Sequence, residues 1–196
     1  MHQGNLTRHF IPIDYVFKLF QKNAMNMITT FRPLILLSSL ICAFQANAVE
    51  VAGYSFTAPA DWKSSPPSSN MRKAQFSVLG KSGKSGEVVF YYFGSGGAGG
   101  VKANVDRWMK QFDAPQGQSV KTETINDTKV TFAQAHGTYL SGRPFGQKTP
   151  NPGYAMFAAI IEGKNGAIFV KMTGPKDAVD AHSAKLRKMV TDSLAK

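Results

Sequence analysis

Apolar residues past position 48 follow a two-residue period or run together, which predicts a domain rich in β-strands. The seven predicted strands are 51–57, 74–79, 87–93, 120–125, 129–139, 154–161 and 167–172. Three of them (87–93, 154–161 and 167–172) are apolar at almost every position, as is typical of central strands covered on both faces. The last four strands predict two hairpins, which turn at Asn126-Asp127 and at Gly163-Lys164-Asn165-Gly166.

Two other segments have a helical period. In the segment 101–112 one face carries Val101, Val105, Trp108, Met109 and Phe112. A last helix follows Pro175, with Asp177 near its positive end, and buries Val179, Leu186, Met189, Val190 and Leu194. The order is three strands, a helix, four strands and a helix. This order predicts an α+β fold, a three-layer α/β/α sandwich with a mostly antiparallel sheet of about six to seven strands and two main helices.

The segment before the first strand has the features of a signal peptide. Residues 34–44 are apolar but too few to span a bilayer, Arg32 precedes them, and Ala46-Asn47-Ala48 supplies the small residues of a cleavage site. We therefore predict a signal peptide over 25–48, cleaved after Ala48, and a single domain over 49–196. Residues 1–24 are interpreted as an upstream extension, with translation starting at Met25 or Met27. The protein is predicted to be periplasmic or secreted, without a transmembrane helix in its mature part.

Charge and cysteine content narrow the possible partners. The 196-residue chain has a net charge of +11, and the predicted mature part has 19 Lys and Arg against 11 Asp and Glu. The partner is therefore expected to be a protein or an anionic envelope component, and nucleic acid is not expected outside the cytoplasm. The alternative explanation is that the excess of Lys only keeps a small protein soluble and marks no partner. Cys42, the only cysteine, lies in the predicted signal, so the mature part has no disulfide and no thiol nucleophile.

Two loops are candidates for binding. The run from Gly94 to Gly100 matches G-x-G-x-x-G between a strand and a helix, a context that lets phosphates approach backbone N–H groups. No acidic residue ends the following strand to hold a ribose, so we interpret the run as a flexible loop, or as a loop that contacts an anion, and not as a dinucleotide site. The loop 141–153 has three prolines and an aromatic residue between two cations, which can bind an acidic partner or remain a simple hairpin connection.

The predicted binding surface combines these loops with two further cations. Its residues are Arg72, Lys73, Gly96, Gly97, Arg143, Phe145 and Lys148. We predict no catalytic residue, no metal site and no cofactor. His136 and His182 stand alone in a strand and a helix, without a second ligand at metal-binding spacing, and are interpreted as structural.

Several local patterns resemble a known fold. They are Pro59-Ala60-Asp61-Trp62 after the first strand, the helix with Trp108 and Phe112, and the stretch 169–175 before the last helix. Together with the element order they resemble the PsbP/Mog1-like fold, which implies a binding or assembly factor rather than an enzyme. The stretches 71–74 and 91–94 are also similar to small exported bacterial proteins of unknown function.

The sequence thus favours an exported, non-catalytic binding or assembly module of the cell envelope. One alternative is a small lipid or ligand carrier, which requires a roofed apolar cavity beneath a helix. Another is an enzyme of unrecognised type, which requires a polar pocket that contains an acid or base with a perturbed pKa.

Overall fold

A computed structural model of the chain describes residues 47–142 and 146–195. Its strands are β1 (Asn47–Val51), β2 (Tyr54–Ala58), β3 (Lys63–Ser65), β4 (Arg72–Leu79), β5 (Ser85–Tyr92), β6 (Phe112–Ile125), β7 (Thr128–Ser141), β8 (Thr149–Gly163) and β9 (Gly166–Pro175). The helices are α1 (Val101–Met109) and α2 (Lys176–Ser193). Strands β3 to β9 form one sheet in the order β3-β4-β5-β9-β8-β7-β6, and every neighbouring pair is antiparallel.

The first face of this sheet carries the larger core. Helix α2 and the β1–β2 hairpin contribute to a buried cluster that contains Phe56, Trp62, Phe76, Phe90, Val170, Met172 and Leu186. Alternation along β4 directs Phe76 and Val78 into this core, because successive side chains of a strand point to opposite faces.

The second face is covered by α1 in part. Buried residues of α1, β7, β8 and β9 form a smaller cluster that includes Val105, Trp108, Met156, Ile160 and Phe169. A helix of nine residues is about 13 Å long, whereas seven strands span about 29 Å across the sheet. Helix α1 therefore leaves part of this face open. The predicted α+β sandwich, with helices on both faces of a seven-stranded antiparallel sheet, is confirmed.

The start of the domain differs from the prediction, because the single strand expected over 51–57 is wrong. Ala52 and Gly53 have φ angles of 53° and 87° and form a two-residue turn, so the chain folds back as the hairpin β1–β2. An alanine rarely adopts a positive φ, so the apolar pattern alone does not indicate this turn. Strand β1 begins at Asn47, and the predicted cleavage after Ala48 would remove the first two residues of the strand.

The predicted loop over 141–153 is shorter in the structure. Strand β7 extends to Ser141 and β8 begins at Thr149, so both arms of the hairpin continue past the body of the sheet. Strand β9 pairs with β8 only from Tyr154 onward, so positions 150 and 152 have no neighbouring strand on that side. Proline has no backbone N–H to donate, and Pro150 and Pro152 are tolerated there because no hydrogen bond to β9 is required. In the described ranges, no helix has the length and apolar character needed to cross a membrane.

Candidate functional site

The open part of the second face forms a groove of about 560 Å3 beside α1, which we call the main groove. Its floor is polar, because alternation along β4, β5 and β9 directs the small and polar side chains away from the larger core. The floor contains Gln75, Ser77, Glu87 and Thr173, and aromatic side chains line it at Tyr91, Tyr139 and Tyr154.

An arginine lies across the floor of the main groove. The Arg72 Nη1 atom donates hydrogen bonds to Glu87 Oε1 at 2.6 Å and to Gln75 Oε1 at 2.9 Å. Both members of the ion pair keep contact with solvent, so the pair adds little to the free energy of folding. Its effect is to hold one guanidinium in a fixed orientation on an otherwise open surface.

The tyrosines of the main groove are held by stacking. The Tyr139 and Tyr154 rings are nearly parallel with centroids 6.3 Å apart, and Tyr139 also packs on Phe112 at 5.2 Å. Tyr91 stacks on Phe93 with centroids 6.2 Å apart. Burial raises the pKa of the Tyr91 and Tyr139 hydroxyls, so both remain neutral at physiological pH and can donate hydrogen bonds.

Lys171 on β9 lines the main groove and also a smaller pocket next to it. Its ammonium donates a hydrogen bond to Gln111 Oε1 and lies 5.3 Å from the centroid of the Tyr139 ring and 5.9 Å from that of Trp108. Burial lowers the Lys171 pKa to about 7, and the positive charge of Arg107 acts in the same direction. The carboxylate of Glu87 acts in the opposite direction.

The smaller pocket has a volume of about 150 Å3, and we call it the side pocket. It is lined by the aromatic residues Tyr91, Phe93, Trp108 and Phe169 and by the polar residues Asn104, Arg107, Gln111 and Lys171. Tyr91 and Lys171 line both cavities, so the side pocket and the main groove adjoin.

The structure brings one of the sequence-predicted site residues into these cavities. Arg72 lines the main groove, together with Ser141 and Gly142, where the predicted loop begins. Arg143 and Phe145 lie outside the described residues. The remaining predicted residues, Lys73, Gly96, Gly97 and Lys148, line neither the main groove nor the side pocket.

The glycine run before α1 has a structural explanation. A Cβ atom at Gly97 would lie 2.1 Å from the Phe93 carbonyl oxygen, so the tight turn requires glycine there. The buried Asn104 side chain then ties this loop to the helix, because its Nδ2 atom donates to the carbonyl oxygens of Ala98 and Gly100. An anion-contacting role for Gly96 and Gly97 stays a prediction.

Sequence reasoning missed most of the cavity lining, above all Lys171. The signal for Lys171 in the sequence is a single cation inside the otherwise apolar strand 167–172, whose pattern predicts burial on both faces. The sequence also left open which of two adjacent tyrosines faces a pocket. Tyr91 lines both cavities, whereas the Tyr92 hydroxyl donates a hydrogen bond to the Asn165 carbonyl oxygen at 2.6 Å.

His182 makes two hydrogen bonds in the first core. Trp62 Nε1 donates to His182 Nδ1 at 3.0 Å, so the ring hydrogen is on Nε2, which donates to the Leu79 carbonyl oxygen at 3.1 Å. This geometry is that of a buried structural histidine. Across the ranges 47–142 and 146–195, no group of three or more His, Cys, Asp or Glu residues is arranged to hold a metal ion.

Comparison with known proteins gives a fold and no family. No protein-family model matches the chain, and no curated protein matches it. The solution structure of cyanobacterial PsbP from Synechocystis sp. PCC 6803 is similar, with a TM-score of 0.50 and 15% sequence identity over 78% of this chain and 93% of that chain. An identity this low carries the fold alone. The chain therefore has the PsbP-like fold that its sequence patterns predict.

Proposed function

We propose that the protein is a non-catalytic binding module of the cell envelope and that its partner docks in the main groove. The observation that carries this proposal is an open groove of about 560 Å3 with a fixed arginine on a polar floor and tyrosines along its side. Tyrosine and arginine are the residue types enriched in binding surfaces, because each combines apolar area with hydrogen-bond donors.

The carrier alternative fits the cavities less well. A lipid carrier needs an enclosed apolar cavity, whereas the main groove is open to solvent and has Arg72, Gln75 and Glu87 in its lining. The side pocket has aromatic walls, but its volume of about 150 Å3 is well below that of the ligand pockets that enclose drug-sized molecules.

The enzyme alternative gains one observation from the structure, since Lys171 is a base with a perturbed pKa in a polar groove. Proton transfer or nucleophilic catalysis also needs a second group that gives or takes a proton. In the described part of the chain, the hydrogen-bond partner of the Lys171 ammonium is the Gln111 amide, which does neither at neutral pH. Glu87, the carboxylate of the main groove, is engaged by Arg72, so the hydrogen bonds of this groove favour a role for Lys171 in binding over one in turnover.

Export is the part of the proposal that rests on the sequence. The apolar segment 34–44 and Ala46-Asn47-Ala48 predict removal of the signal after Ala48. Expression of the full chain in a Gram-negative host should give a periplasmic or extracellular species with Val49 as its first residue, as measured by intact mass. A cytoplasmic species that retains Met1, Met25 or Met27 would contradict export.

The docking surface can be tested by capture of envelope components. The full chain with a carboxyl-terminal tag is used to retain proteins and lipids from an envelope extract of its own cells, which are identified by mass spectrometry. Arg72→Gln removes the fixed guanidinium from the main groove, and we expect it to lower retention of a specific partner at least tenfold, which corresponds to about 1.4 kcal/mol of binding free energy.

The adjacent residue supplies the matched control. Lys73→Gln removes one positive charge at the next position but outside the main groove, so it should leave retention within twofold. Charge reversal at Arg143 and Lys148 tests the loop surface expected from the sequence. Loss of the partner in the loop variants with full retention in Arg72→Gln would contradict docking in the main groove.

A further inference from the structure

The side pocket combines aromatic walls with positive charge. Trp108 packs edge-on against Phe169 with ring centroids 6.2 Å apart, and Phe93 also packs against Phe169 at 6.0 Å. Phe93 lines the pocket and is 41% exposed although it is a large apolar residue. A cavity of about 150 Å3 with apolar walls is large enough for one benzene ring.

Two cations line this pocket, and its lining contains no carboxylate. Among the described residues, the hydrogen-bond acceptor of Arg107 is Asn104 Oδ1, and that of Lys171 is Gln111 Oε1. A guanidinium has five N–H donors and an ammonium has three, so both groups keep donors for a ligand. The planar guanidinium matches the geometry of a carboxylate.

We propose that the side pocket binds a small aromatic carboxylate, with its ring between the aromatic walls and its carboxylate bridging Arg107 and Lys171. This proposal goes beyond the proposed function, because it assigns a ligand class to the side pocket rather than a partner to the main groove. It is tested with purified protein and a defined ligand, so its failure leaves the result of envelope capture unaffected. Conversely, the absence of an envelope partner would not affect ligand binding.

Binding should be coupled to uptake of a proton. Arg107 on α1 disfavours the charged form of Lys171, whereas Glu87 on β5 favours it. Arg72 on β4 and the tyrosines Tyr91, Tyr139 and Tyr154 are the other charged or phenolic side chains that line the two cavities. A bound carboxylate would offset the repulsion between Arg107 and Lys171 and would favour the ammonium form. With a free Lys171 pKa of about 7, affinity should be about tenfold weaker at pH 8 than at pH 6.

Calorimetric titration of the purified protein with phenylacetate tests this proposal. We expect saturable binding at pH 6, at least tenfold weaker binding of neutral phenylacetamide, and at least tenfold weaker binding of acetate, which has no ring. Lys171→Met and Arg107→Gln should each weaken phenylacetate binding at least tenfold, and Lys171→Met should also abolish the pH dependence. Lys102→Gln removes an exposed cation of the same helix and should leave affinity within twofold.

Several outcomes would overturn the proposal. They are no saturable binding of phenylacetate up to millimolar concentrations, equal affinity for phenylacetamide, or unchanged affinity in both Lys171→Met and Arg107→Gln. A short peptide that ends in Phe is titrated as well, in its free-acid and amidated forms. If the free-acid peptide binds more tightly than phenylacetate, the ligand of the side pocket is a peptide carboxyl terminus and not a free aromatic acid.

Discussion

Substitution of Trp62 by alanine is expected to destabilise the protein by about 3–5 kcal/mol, the range for deletion of a buried tryptophan side chain. Trp62 is 2% exposed and packs against Phe76 with ring centroids 5.9 Å apart. Its indole N–H is also the donor to His182 Nδ1, so the substitution leaves this buried ring nitrogen without its partner. Both losses act in the larger core beneath α2.

A thermal or urea unfolding curve measures this effect. For a domain of about 150 residues, a loss of this size lowers the Tm by about 10 °C. Trp62→Phe keeps an aromatic ring but removes the N–H donor, and should cost a smaller amount, about 1–3 kcal/mol. Val120→Ala at an exposed position of β6 is the control and should change stability by less than about 0.5 kcal/mol. A loss below 1 kcal/mol in Trp62→Ala would show that Trp62 does not anchor this core.

Periodicity was sufficient to predict the layered fold. The stripe of Val105 and Trp108 identified α1, and the turns at Asn126-Asp127 and at 163–166 identified the two hairpins that supply four of the seven strands of the sheet. These features depend on neighbours in the sequence, so a local pattern is enough to find them. The strand β3 was missed because three residues are too few to show a period. The turn at Ala52 was missed because alanine rarely adopts a positive φ angle.

The cavities were harder to predict because their lining comes from distant parts of the chain. Arg72 on β4 and Lys171 on β9 line one groove, yet about a hundred positions separate them in the sequence. The order β4-β5-β9 brings these strands together, and the short length of α1 leaves the face above them open. Neither fact is contained in the residue pattern around any single candidate. The cation Arg72 was therefore found by its type, whereas Lys171 was missed.

Lys171 links the stability of the fold to the proposed binding role. A partly buried ammonium beside Arg107 lowers the free energy of unfolding, and the single Gln111 hydrogen bond compensates it in part. Groups that destabilise the native state are concentrated where a ligand or substrate supplies the missing partner. Replacement of Lys171 by an apolar residue should therefore weaken carboxylate binding and increase the free energy of unfolding.

Lys171→Met is accordingly expected to stabilise the protein by a few kcal/mol at pH 6, because the lowered Lys171 pKa of about 7 means that burial disfavours the charged form by about 1.4 kcal/mol per pKa unit. Below pH 7 Lys171 is charged in both the folded and the unfolded state, so the cost of burying the charge is fully present. Between about pH 7 and 10.5 the folded state has lost the proton while the unfolded state retains it, so this cost declines as the pH rises. The advantage of Lys171→Met should therefore shrink steadily from pH 7 to pH 10 in urea unfolding.

Lys102→Met, at an exposed position of α1, should show no such trend. A constant difference between pH 6 and pH 10, or a less stable Lys171→Met at pH 6, would mean that Lys171 is not held as a disfavoured charge.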